Sequence, residues 1–277
     1  MHTYAGESPS KTLTRILYWE TLKEHLGHDF KDSHLVLCGE GGDVRQAQAL
    51  NAGPVTAVDL DKERLNKAKR AFQRQHGNLR RHDFVHGNMC EIEGKFAHVL
   101  LDWCEVVRPE TMERSLRILD RTLREGGMFG LCFSYGMQGR PRKGQPPLFA
   151  CIEGETREEK VMRRIKYVNS WLQLHCGKAA PAMVGAWYYD SSTAEKKGSP
   201  MVYMLFDTSK PFTGIPKPVL CKWNEEQREQ EAREAFEDHK GSYFADSSRV
   251  SDRFMLNPKK IGAWHAWQTM RARKHAP

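Results

Sequence analysis

Four groups of residues in this chain have the types and spacing to do chemistry. Gly39-Glu40-Gly41-Gly42 follows the apolar run His34-Leu35-Val36-Leu37-Cys38 without a gap. Glycines in that place permit a tight turn and let a ligand approach the backbone. Asp59 ends a second apolar run, Val55-Thr56-Ala57-Val58, twenty residues after Gly39. A carboxylate there is placed to accept hydrogen bonds from a ribose diol. Asp102-Trp103-Cys104-Glu105 closes a third run, Phe96 to Leu101, and combines an acid, an aromatic ring and a thiol. Arg140, Arg142 and Lys143 lie in a Gly- and Pro-rich loop, 136–146, and have the charge to contact phosphates.

The elements that must position these groups follow from periodicity. Strand, glycine loop, small-residue helix (44–52), strand, acid is the order of the adenosine-binding half of a Rossmann-like unit. Residues 61–75 are amphipathic, with Leu65, Ala68 and Phe72 on one face and Lys62, Lys67, Lys69, Arg70 and Arg74 around the rest. Residues 83–86 and 96–101 are further strand patterns. Residues 109–125 form a helix that starts on proline and stops at Gly126-Gly127. A strand over 128–133 and a helix over 155–174 complete the alternation. Then the pattern changes. Residues 183–189 and 201–206 are strand patterns with no helix between them, so they pair antiparallel. The expected fold is α/β: a doubly wound, mostly parallel sheet with an antiparallel terminal hairpin and a helical C-terminal extension. Three segments follow. Residues 1–33 are an N-terminal helical segment, with a helix over 11–26 serving as a lid or packing element. Residues 34–209 are the ligand-binding domain. Residues 210–277 are an extension: a Pro-containing linker, an acidic helical stretch over 224–239, and a basic tail with Trp264 and Trp267.

Composition narrows the classes. The chain has 277 residues, 39% of them hydrophobic, enough for one sizeable core. No run approaches the roughly 18 consecutive apolar residues of a membrane span, and the first residues lack the apolar stretch of a secretory signal. The seven cysteines show no CxxC pairing, which argues against a disulfide framework and against a zinc site. No metal is expected, and a reducing cytoplasm is the expected compartment. The formal net charge is +8 at pH 7. That suits a polyanionic partner, and residues 257–277 carry five Lys or Arg and no acid.

With these residues in place, the chain resembles the class I S-adenosylmethionine-dependent methyltransferases over roughly residues 34–207. The terminal hairpin carries much of the resemblance, because nicotinamide-type Rossmann domains end on parallel strands. The resemblance implies S-adenosylmethionine as cofactor. Gly39, Glu40 and Gly41 would line its methionine and ribose, and Asp59 would accept from both ribose hydroxyls. Leu60 would pack on the adenine face, Asn88 would meet the adenine amino group, and Met89 would flank the ring. Asp102 would lie near the methionine end and the acceptor, with Trp103 beside it as a second catalytic candidate, either stacking on a substrate ring or packing.

Two positions depart from the family pattern. Leu37 stands where the family has an acid, two residues before the first glycine, so Glu40 is the candidate replacement. Asp102-Trp103 lacks the proline motif of enzymes that methylate the amino groups of adenine or cytosine. Cys104 follows the fourth strand, as the nucleophile of cytosine-5 methyltransferases does, but without the preceding proline; an inert small residue is the plainer role. The expected function is methyl transfer to nucleic acid, contacted through Arg140, Arg142, Lys143 and the basic tail. A non-catalytic methyltransferase-like scaffold and a small-molecule methyltransferase are the alternatives.

Overall fold

The computed structural model describes residues 9–76, 81–135, 152–189 and 200–221, all within one unit, Glu7–Lys222. The loop with Arg140, Arg142 and Lys143, the acidic stretch 224–239 and the basic tail lie outside the described residues.

Among the described residues, five helices and eight strands follow one another. They are α1 (Pro9–Leu26), β1 (His34–Leu37), α2 (Gly42–Ala49), β2 (Val55–Asp59), α3 (Lys62–His76), β3 (His82–His86), β4 (Phe96–Val106), α4 (Pro109–Thr122), β5 (Leu123–Ser134), α5 (Arg157–Cys176), β6 (Pro181–Tyr189), β7 (Met201–Pro211) and β8 (Val219–Leu220). The strands form one sheet in the order β3-β2-β1-β4-β5-β7-β6-β8. Strands β1 to β5 run parallel, and β7 runs antiparallel to both β5 and β6.

Local chemistry explains the helix boundaries. The Asp61 carboxylate accepts from the Glu63 and Arg64 amides and starts α3. Pro109 occupies the first turn of α4, where its missing N–H costs nothing. Thr156 and Glu159 form a reciprocal capping box at the start of α5.

The sheet contains the antiparallel hairpin and adds two features. Its reversed strand, β7, is inserted between β5 and β6. Its residues Met201 to Asp207 are all buried, which suits an interior strand covered on both faces. The sheet also continues beyond the expected linker, since β8 adds to β6 in parallel and Cys221 donates its amide to Tyr188 O at 2.8 Å. Two residues are too short to be legible as a strand, and shortness is a common property of edge strands. In addition, α4 ends at Thr122 rather than Glu125, and β4 runs past Asp102 to Val106 through a register irregularity.

The core has two layers. On one face, Val161, Ile165, Val168 and Leu172 of α5 and Met112 and Ile118 of α4 pack with Val99, Leu101, Leu131 and Met204 of the sheet. On the other, α1 lies across β5, β6 and β7. Tyr18 sits over Gly130, where an added Cβ would come within 2.0 Å of its hydroxyl; only glycine leaves room for the ring. Trp19, Tyr18, His34 and His98 form a run of edge-on ring contacts with centroids 5.2 to 6.3 Å apart. So α1 is a packing element.

Candidate active site

Parallel register brings four sequence-distant residues to one edge of the sheet. Leu37 pairs with Val58, and Asp59 with His86. Val36 pairs with Leu100, so Asp102 stands two residues further along, level with Cys38. Gly39, Asp59, Asn88 and Asp102 therefore share the carboxyl edge, where open α/β sheets bind ligands.

The two outer loop glycines differ in what holds them. Gly39 has φ +48°, and a Cβ there would meet nothing within 4 Å. It faces open space at the strand end. Gly41 has φ +76° and caps α2, and its Cβ would come within 3.0 Å of Ala68 on α3. Gly39 is thus available to a ligand, whereas Gly41 is fixed by packing. Glu40 is exposed, and its carbonyl accepts from Arg45 Nη1 at 3.0 Å.

Asp59 is 8% exposed. Its Oδ1 accepts from the Asp61 amide at 2.9 Å, and Arg64 Nε stands 3.4 Å from Oδ2. These contacts fix the carboxylate at the strand end. Leu60 follows it with 71% of its surface exposed, an apolar platform beside an acid. Asn88 lies one turn past β3, and its Oδ1 caps the short 3-10 turn Met89–Glu91 by accepting from Cys90 N at 3.0 Å. Met89 is a correction: its side chain is 3% exposed and belongs to the core with Val58. It cannot flank a ring with that side chain.

Asp102 is half-buried, and its Oδ2 accepts from Tyr203 Oη at 3.1 Å. Tyr203 is fully buried in β7, opposite Cys132 of β5. Burial, and then the Asp102 charge, push its phenol well above the usual tyrosine range. Tyr203 is therefore a permanent donor to Asp102. Trp103 is the second correction. Its Nε1 donates to Ser115 Oγ at 2.9 Å, and Arg114 covers its ring 4.0 Å from the centroid. Successive strand residues point to opposite faces; Trp103 is committed to α4 rather than to the catalytic edge. Glu105 is likewise turned to α4, accepting from Arg114 Nη2 at 2.7 Å and Thr111 Oγ1 at 3.1 Å. The side chain of Cys104 lies outside the described residues. Cys38 is buried, and burial pushes its thiol up to about 12, so it is inert.

Two groups beside the site were missed from the sequence. Asp43, in the first turn of α2, is 2% exposed and accepts from Arg15 Nε and Trp19 Nε1, each at 3.0 Å. A helix N-terminus favours such an acid, and the signal was available: an acid directly after the glycines and an Arg–Trp pair four residues apart on α1. Tyr203 had no local signal.

Residues 36–127 match the family model described as "Methyltransferase domain". The matched stretch, about a third of the chain, runs from β1 into β5 and is similar to that family. No curated protein matches the chain. Among solved structures, an rRNA methylase from Streptococcus thermophilus is 16% identical, with 69% of this chain and 94% of that one covered and a TM-score of 0.40. Magnesium protoporphyrin IX methyltransferase from Synechocystis is 14% identical, with 71% and 78% covered and a TM-score of 0.42. At this distance neither bears on the acceptor. Among the described residues no His, Cys, Asp and Glu cluster could hold a metal, and no helix is long and apolar enough to cross a membrane.

Proposed function

We propose that the domain transfers a methyl group from S-adenosylmethionine to an acceptor carried on nucleic acid. One observation carries the donor side: open backbone at Gly39, the fixed carboxylate of Asp59 and the exposed side chain of Leu60 stand together at the carboxyl edge. These residues fit the group. Gly39 admits it to the backbone, Asp59 accepts from a ribose diol, and Leu60 offers an apolar surface to a purine. Asn88 stands next along the edge, where its amide can meet the purine rim.

When bound, S-adenosylmethionine supplies an already activated methyl group, so the protein need only align acceptor and donor and exclude water. Asp102 is the acceptor-side group. Its carboxylate is oriented by Tyr203, so it can hold an acceptor N–H or O–H in line and take its proton. Because Tyr203 stays protonated, the pair keeps the geometry through the working pH range. Nucleic acid as the acceptor's carrier is supported by the +8 net charge, by Arg140, Arg142 and Lys143 in the segment after β5, and by the acid-free tail.

Calorimetry with S-adenosylmethionine tests the donor side, and transfer of labelled methyl to RNA, DNA or protein tests the acceptor side. Saturable cofactor binding with label appearing in nucleic acid is the expected result. Label only in protein or small molecules would sink the acceptor assignment while leaving the donor assignment intact.

A further inference from the structure

The most unbalanced surface of the described residues is the outer face of α3. Helix α4 sets Glu110, Glu113 and Asp120 among Arg114, Arg117 and Arg121. Helix α3 carries Lys62, Arg64, Lys67, Lys69, Arg70 and Arg74 against a single acid, Glu63. Its buried stripe, Leu65, Ala68 and Phe72, fixes which side faces outward. Lys67, Arg70 and Arg74 then fall on one exposed line at helical spacing i, i+3, i+7, and with Gln73 they border a surface depression of about 430 Å³. Arg64 is turned to Asp59 and Asp61, at 3.4 and 3.6 Å. Among the described residues, Lys67, Arg70 and Arg74 have no ion-pair partner. Like charges at these spacings oppose the helix that carries them, so an anion from outside would stabilise this face.

We propose that the Lys67–Arg70–Arg74 line holds the phosphodiester backbone of a single-stranded polynucleotide. The proposal rests on the nucleic-acid reading above and names the surface that reading lacks. Helix α3 begins three residues after Asp59, beside the donor cradle, and the line starts five residues further on, at Lys67. It runs away from the cradle for seven residues, about 10 Å at 1.5 Å per residue. That length meets the phosphates of one strand. Arginine forks match phosphate oxygens bidentately, and lysine adds a point charge. A single strand is favoured over a duplex because a methyl acceptor on a base must leave the stack to be reached, and a single strand pays least for that.

The test uses the full chain and fluorescence anisotropy with a labelled single-stranded RNA over a salt series. Lys67→Gln, Arg70→Gln and Arg74→Gln combined should weaken binding at least about tenfold at low salt and lower the slope of log K against log salt by about 2. Arg70→Lys with Arg74→Lys, which keeps the charge, should leave the slope unchanged. Cofactor binding by calorimetry should be the same for every variant, which shows that each is folded. If the wild-type chain binds no RNA, the nucleic-acid reading fails and this proposal with it. If the wild type binds and the glutamine variant shows the same slope, this surface alone is overturned. Binding of polyglutamate in preference to RNA, lost in the glutamine variant, would overturn the proposal in favour of an acidic protein partner.

Discussion

The proposed donor and acceptor sides of the carboxyl edge are built in different ways. Gly39, Asp59 and Leu60 owe their positions to two short strands and the turns directly after them. The contacts that fix the Asp59 carboxylate come from within five residues of it: the Asp61 amide and Arg64. Asp102 is oriented by Tyr203, 101 residues away in β7. One side is local and modular; the other depends on a reversed strand finding its place between β5 and β6. Helix α1 joins them, because Arg15 and Trp19 hold Asp43 beneath the glycine loop while Tyr18 lies edge-on to Tyr203.

The largest separation of the two sides should come from Asp59→Asn. The amide still accepts from the Asp61 N–H but loses the charge and the second acceptor for a ribose diol. Charge-assisted bonds contribute about 1.5–3 kcal/mol each, so the Kd for S-adenosylmethionine should rise at least about tenfold and towards a hundredfold. Acceptor KM at saturating cofactor should hold. A change in acceptor KM with cofactor Kd unmoved would reverse the assignment of the two sides.

Acid should break the junction before either side. Burial lowers His34 from its ordinary 6.5 to about 4, and His98, fully buried with Tyr18 at 2.6 Å from its Nε2, is also lowered well below its ordinary value. A histidine that is neutral when folded and titrates normally when unfolded gives stability that is complete above about 6.5 and is lost as pH falls towards the folded value. His34 alone predicts a loss of about 2 kcal/mol between pH 7 and pH 5. Denaturant unfolding at the two pH values measures it. His34→Gln should flatten that dependence, and an equally steep dependence in the variant would remove His34 as the cause.

This division also explains what was legible in the sequence. The order strand, glycines, helix, strand, acid is written in consecutive residues, so the donor side and the parallel half of the sheet could be anticipated. The place of β7 could not, because hairpin geometry says which strand it pairs with, and insertion beside β5 is a choice made by the whole sheet. Its uninterrupted apolar run, Met201 to Phe206, was the available hint of an interior strand. Tyr203 was therefore missed. Met89 and Trp103 were assigned by position after a strand, and position fixes the backbone but not the face. Asn88, at the same kind of position, has its oxygen committed to Cys90 N.

On the acceptor side, Tyr203→Phe removes one hydroxyl and leaves the buried ring. Asp102 then loses a fixed donor. The expected result is a fall in kcat of roughly tenfold, in line with one hydrogen bond to a charged group. Cofactor Kd should be unchanged. A parallel loss of cofactor affinity would mean that the two sides are not separable.

The smallest effect is expected at Trp103, and for that reason it probes the boundary most sharply. Its indole donates to Ser115 Oγ, but Ser115 keeps its own bond to Thr111 O at 2.8 Å. Trp103→Phe therefore strands no buried donor and leaves an aromatic face for Arg114. The cost should be about 1 kcal/mol of stability, read by denaturant unfolding, with kcat within about twofold, well below the cost of losing a positioned catalytic group. If kcat collapses while stability holds, then the indole reaches the acceptor despite its contacts with α4. The catalytic edge would then extend through the irregular stretch of β4, where Trp103 and Glu105 now serve only to seat α4. That outcome would make the acceptor side partly local as well, because Trp103 adjoins Asp102 in the chain.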